Sequence, residues 1–145
     1  MALSANSLTS QQVHSLVGTW SCVTHDSQHK TYHETDVDSM DGPWLRMLTT
    51  YPPQNGQPAA TGTGFFGYDS KHGRWIVTSV DTTGEYSITV STSHTLNGSQ
   101  WTDAYPVDNA TATFRTVGST EFTVDVRAPD GHGNTVTSHQ VCTRS

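Results

Sequence analysis

Short runs in which apolar and polar residues alternate one by one recur along this chain. In residues 86–90 (YSITV), Tyr86, Ile88 and Val90 share one side while Ser87 and Thr89 take the other. Residues 110–115 (ATATFR) set Ala110, Ala112 and Phe114 against Thr111, Thr113 and Arg115; residues 121–127 (EFTVDVR) set Phe122, Val124 and Val126 against Thr123, Asp125 and Arg127. Successive side chains of an extended backbone point to opposite sides, so each run reads as a strand with one buried face. Turn signals separate the runs at intervals of about ten residues: DSQHK (26–30), DSMDGP (38–43), PPQNGQP (52–58), DSKHG (69–73), TTGE (82–85), LNGS (96–99), PVDN (106–109), VGS (117–119) and PDGHGN (129–134).

This pattern predicts an all-β fold of about ten strands, with connections too short for crossover helices. Consecutive hairpins make an antiparallel up-and-down meander, and a long meander removes its exposed edges by closing into a barrel. Only residues 9–17 (TSQQVHSLV) carry helical spacing, with Val13, Leu16 and Val17 on one side. A short N-terminal helix there is expected to plug one end of the barrel. Residues 1–8 are expected to be a disordered tail, and residues 9–145 a single domain.

Composition narrows the partners. The chain has 145 residues, a formal net charge of -6 and only 14% charged residues, and roughly a quarter of it is Ser or Thr. Threonine suits a half-wet pleated surface, in keeping with sheet. The acidic balance, with Lys30 and Lys71 as the only lysines, excludes nucleic acid and anionic membrane as expected partners. No apolar run is long enough to span a bilayer. The start, MALSANSLTSQQ, lacks the basic and apolar regions of a signal peptide. With the Ser/Thr-rich composition it reads as a mature secreted or periplasmic chain bearing an added initiator Met. Cys22 and Cys142 are either two separate buried thiols or one disulfide joining the first strand to the last; export favours the disulfide.

The segment Leu16-Val-Gly-Thr-Trp20, after a short helix and at the head of the first strand, resembles the calycin signature, in which a G-x-W tryptophan packs across the barrel floor. The outline is similar to the nitrobindin-like, ten-stranded calycin barrels, which fatty-acid-binding proteins also resemble, including bacterial domains beginning with a similar L-x-G-x-W. The resemblance implies a cavity for a small apolar or amphipathic molecule, in a monomer or homodimer. Nitrobindins bind haem through a histidine in the last strand, which implies His139 as the ligand here. Strand parity opposes that assignment. If Trp20 points inward then so do Cys22 and, as its disulfide partner, Cys142, together with Gln140 and Ser138, leaving His139 outside. No cofactor is expected, with haem through His139 as the exception to test.

The first hairpin concentrates the candidate chemistry. A turn centred on Gln28 and His29 pairs residues whose numbers sum to 57, so Thr24 faces His33 and Cys22 faces Thr35. The inward set is then Trp20, Cys22, Thr24, His33, Thr35 and Val37, with Glu34 and Asp36 outside. The histidines of this hairpin diverge, so no metal site is expected. His33 is expected inside the barrel, either as a hydrogen-bonded structural residue or as a polar anchor for a ligand. In a cavity enzyme of the isomerase or cyclase type it would be the acid/base group, with Arg46 or Tyr86 as electrostatic partner. In residues 44–51 both sides are apolar, so alternation cannot choose whether Arg46 points in; outside, it would pair with Glu34 or Asp36. The ligand-binding walls are expected to comprise Trp20, His33, Phe65, Tyr86, Ile88, Val90, Phe114, Phe122 and Val124.

Overall fold

A computed structural model describes the backbone of residues 5–145 and the side chains of residues 8–145. The helix α1 (Ala5–His14) precedes ten strands: β1 (Gly18–Asp26), β2 (Thr31–Asp41), β3 (Trp44–Tyr51), β4 (Ala60–Asp69), β5 (Arg74–Asp81), β6 (Tyr86–Ser91), β7 (Ser99–Tyr105), β8 (Thr111–Val117), β9 (Glu121–Pro129) and β10 (Thr135–Arg144). Each strand pairs antiparallel with the next, and β10 returns to β1, closing the barrel. The all-β, ten-stranded meander read from alternation is the observed architecture. The helix starts earlier than its spacing predicts, so residues 5–8 of the expected tail are helical; residues 1–4 lie outside the described residues.

The helix closes one end of the barrel because its last turn carries the chain's apolar stripe. Val13 and Leu16 are 2% and 8% exposed and pack with Leu45, Phe66, Trp75, Leu96 and Trp101. Burial of each aliphatic side chain contributes about 2 kcal/mol. Gln12 fixes the helix laterally by accepting a 2.7 Å hydrogen bond from the Leu96 amide. The helix then tightens, with i to i+3 bonds from the amides of Leu16 and Val17, and ends at Gly18, whose φ of 141° suits glycine.

At that closed end Trp20 forms the floor. It is 2% exposed, and its indole N–H donates to the Leu16 carbonyl at 2.8 Å. The Arg144 guanidinium lies 4.2 Å above the indole and donates to the carbonyls of Ser15, Val17 and Ser119. Cys22 and Cys142, directly opposed in the β1–β10 register, form a disulfide that crosses the barrel seam. Closing a loop of this length is worth about 5 kcal/mol in the chain-entropy model.

Two glycines of β4 have separate reasons. A side chain at Gly64 would meet the Thr78 carbonyl at 2.5 Å and the Met47 methyl at 3.0 Å, inside the barrel. At Gly67 it would strike the Trp44 ring at 2.6 Å, because Trp44 lies across the outside of the sheet there.

Candidate functional site

The interior is set by a register one residue away from the expected one. In the β1–β2 hairpin Cys22 faces Glu34 and Thr24 faces Tyr32, so paired numbers sum to 56 and not 57. The turn accounts for the difference. Asp26 and Lys30 close a three-residue loop, Ser27-Gln28-His29, with His29 left-handed at φ 63°. The Asp26 carboxylate accepts from the amides of Gln28 and Lys30, both at 2.9 Å. A two-residue turn would have given the other parity; one added residue sends every side chain of β2 to the opposite face.

His33 is therefore an exposed exterior residue, not an interior one, and Gln54 clasps its backbone with bonds of 2.6 and 2.9 Å. Thr35 and Val37 lie outside with it. Their interior places are taken by Glu34, Asp36 and Asp38, which the expected register had left outside or had not considered. In β3 the interior set is Leu45, Met47, Thr49 and Tyr51. Arg46 is exposed, opposite Ser39, and does not pair with Glu34 or Asp36, which are on the other side of the wall.

The walls expected from apolar alternation divide. Phe114, Phe122 and Val124 line a cavity of about 290 Å³ with Leu16, Asp36, Asp38, Leu45, Met47, Phe66, Val77, Thr89, Trp101, Ala112 and Gln140. Trp20 packs edge-on against Phe122 at 4.8 Å, and Phe122 stacks on Phe114 at 5.2 Å. Tyr86, Ile88 and Val90 point outward instead. Pairing with β5 places Ser87, Thr89 and Ser91 inside, opposite Ser79, Val77 and Trp75. The physical reason is space: Trp75 is 0% exposed and fills the interior opposite Ser91, which is 2% exposed. Outside, Tyr86 stacks on Tyr105 at 5.2 Å, with a 2.9 Å bond between the hydroxyls. Phe65 also faces outward, and its neighbour Phe66 takes the core position, stacked on Trp75 at 5.6 Å. His139 lies on the exterior, with Nδ1 2.6 Å from the Asp125 carboxylate.

The interior thus has an apolar wall on β8 and β9 and an acid row on β2. Glu34 sits toward the open end, where it accepts a 2.8 Å bond from Gln140 and another from the Tyr51 hydroxyl. Burial, and then the charge of Asp36, push its pKa up to about 7. Asp36 is held by Thr49, and burial raises its pKa as well. Asp38 is 7% exposed, and burial followed by the Asp36 charge raises it to about 7. The Tyr51 hydroxyl is pushed upward by burial and by the neighbouring Glu34. Tyr51 also lines a hollow of about 340 Å³ with Tyr32, Pro52 and Pro58, so the acid row starts at this end of the barrel.

Asp36 approaches the Cys22 sulfur at 3.7 Å, and Cys22, Asp36 and Cys142 cluster. A disulfide sulfur has no proton to donate and no thiolate charge, so this is a contact and not a metal site.

The turn that inverts β2 had a visible signal. Asp81–Glu85 and Asp130–Asn134 close by the same bonds, with the left-handed position held by Gly84 and Gly133. The pattern D-x-x-G-x is plain in DTTGE and DGHGN, and His29 in DSQHK conceals the same turn.

No family model matches the sequence, and no curated protein matches it. Solved structures do match in shape. The S-type phycobiliprotein lyase CPES from Guillardia theta aligns with a TM-score of 0.65 at 8% identity, over 97% of this chain and 95% of that one. Rv2717c from M. tuberculosis aligns with a TM-score of 0.64 at 13% identity, over 93% and 96%. A redesigned beta barrel, mFAP1, bound to DFHBI, aligns with a TM-score of 0.52 at 14% identity, over 94% and 99%. At such identities the likeness is one of fold, a small ten-stranded antiparallel barrel.

Proposed function

We propose that this protein is an exported, calycin-like barrel that holds a small, largely apolar molecule with one polar end. The observation that carries the reading is the two-sided cavity: Phe114, Phe122 and Val124 on one wall, Asp36 and Asp38 on the other. Apolar pockets with a few converging polar groups are the usual form of a small-molecule site, the polar groups fixing orientation. The fold has precedent for such use in a redesigned barrel bound to DFHBI. The Cys22–Cys142 disulfide fits an oxidising compartment. An acid/base role for His33 has no support in its exterior position.

The test uses 1-naphthylmethanol, a neutral fluorophore whose two-ring frame suits a cavity of about 290 Å³. Calorimetric titration is expected to show one molecule bound per barrel. Ala112→Trp, which places an indole in the cavity, is expected to abolish binding while the far-ultraviolet circular dichroism stays that of a sheet. Unchanged binding in that variant, or binding of neither 1-naphthylmethanol nor 1-naphthylmethylamine by the parent protein, overturns the reading.

A further inference from the structure

We infer that the cavity selects organic cations, namely protonated amines on a flat apolar frame, with Asp36 and Asp38 as the paired anchor. This rests on the cavity reading above and adds the chemical class of the ligand.

The two carboxylates are successive inward residues of β2, so their Cα atoms lie about 7 Å apart on one wall. Each has an oxygen, Oδ1, that is buried and without a hydrogen-bond partner. Asp38 is 7% exposed and lines the cavity, so its free oxygen is held in a place with little access to water. Buried polar atoms are ordinarily satisfied, and two orphans on adjacent inward positions mark a donor that the chain itself does not supply. None of the ion pairs among the described residues includes Glu34, Asp36 or Asp38.

Among the described residues, the groups packed around the row offer no counter-charge. From β3 come Thr49 and Tyr51, and from β10 comes Gln140. At the floor, Arg144 is committed to three backbone carbonyls and to the Trp20 ring. Asp103, which accepts from Thr89, adds a further acid across the barrel.

The ligand class follows by elimination. An anion would face the two carboxylates, and the other polar groups of the lining, Thr89 and Gln140, carry no positive charge. A calcium or magnesium ion requires six or more oxygen donors and a zinc ion three or four ligands aimed at one point, whereas two free carboxylate oxygens lie here among Leu45, Met47 and Phe66. An ammonium group supplies two or three N–H donors to the two orphan oxygens in charge-assisted bonds. Its apolar frame then faces Phe114 and Phe122, whose ring faces also attract a cation.

The experiment compares three probes of one shape at pH 8: 1-naphthylmethylamine, 1-naphthylmethanol and 1-naphthoate. The amine is expected to bind at least about tenfold more tightly than the alcohol, and the naphthoate not at all. In the double variant Asp36→Asn/Asp38→Asn the amine is expected to bind no more tightly than the alcohol, while the far-ultraviolet circular dichroism stays that of a sheet. A quaternary probe, 1-naphthylmethyl-trimethylammonium, has no proton of its own to titrate. Its affinity is expected to fall from pH 8 to pH 5 as the acids take up protons, with the alcohol unaffected. An amine no tighter than the alcohol, or a preference that survives in the double variant, overturns the inference and leaves the cavity reading intact. If neither amine nor alcohol binds, the cavity reading fails and this inference fails with it.

Discussion

On β8 and β9 the interior takes Ala112, Phe114, Phe122 and Val124 and the exterior takes Thr111, Thr113, Thr123 and Asp125, whereas on β2 the interior takes Glu34, Asp36 and Asp38 and leaves Val37 outside at 47% exposure. The first pair of strands follows the ordinary division of a sheet between core and water. The second reverses it, and the reversal is costly: a buried carboxylate without a counter-charge is driven toward its neutral form. β6 is also reversed, yet its interior serines have a packing cause, since Trp75 and Trp101 occupy the space. No packing cause accounts for three acids. The contrast separates a wall built for stability from a wall whose groups are left wanting a partner.

The seam between these regions is the first place to break the comparison. Cys142 lies opposite Phe122 and Cys22 opposite Glu34, so the disulfide joins the apolar wall to the acid row. Reduction, or Cys22→Ala/Cys142→Ala, is expected to lower unfolding stability by about 5 kcal/mol, read from urea midpoints. A loss under about 1 kcal/mol would show that the barrel closes without it.

The apolar wall should behave as core. Phe122→Ala removes the ring between Trp20 and Phe114 and is expected to cost about 3 kcal/mol by urea denaturation. The acid row should respond with the opposite sign. Glu34 and Asp38 hold protons to about pH 7 in the folded protein, while unfolded carboxylates lose them near pH 4. The native state binds more protons across that window, so stability falls as pH rises from about 4 to 7 and levels off above. Asp38→Asn is expected to raise stability at pH 7.5 by roughly 2 kcal/mol and to flatten this slope. Should Asp38→Asn destabilise the protein at pH 7.5, the contrast between the walls would be void.

How much of this was legible in the sequence depended on which signal each strand carried. Where hydrophobicity and parity agreed, as in ATATFR and EFTVDVR, the inward residues Phe114, Phe122 and Val124 were readable, and so was the cysteine pair. In YSITV alternation was genuine but its sign was not, because an apolar side faces inward only if space is left for it, and Trp75 had taken that space. Phe65 and Phe66 are adjacent, so alternation could put only one of them inside and could not say which. On β2 the sign depended on a single turn, and a one-residue change of turn length moved His33 out and the acids in. The candidate site was hidden by that turn and by the habit of sending acids to the surface.

That turn yields the smallest effect and the most direct check on the register. His29 adopts φ 63° where the equivalent positions of the other two aspartate turns hold Gly84 and Gly133. A non-glycine residue in the left-handed region costs about 1 kcal/mol, and glycine removes that cost at some loss of unfolded-state order. His29→Gly is therefore expected to stabilise the protein by about 0.5 kcal/mol in urea denaturation while leaving probe binding unchanged, because the three-residue loop and the inward acids are retained. Deleting one loop residue at Gln28 poses the sharper question. It leaves Ser27 and His29 between the same Asp26–Lys30 pair, so Cys22 still faces Glu34 and the acids stay inside, while the Gln28 amide bond to Asp26 is lost. The variant is expected to fall by several degrees in melting temperature and to keep its amine preference. If the preference were lost, the inward acids would depend on the length of the turn and not on the Asp26–Lys30 pairing that fixes the register.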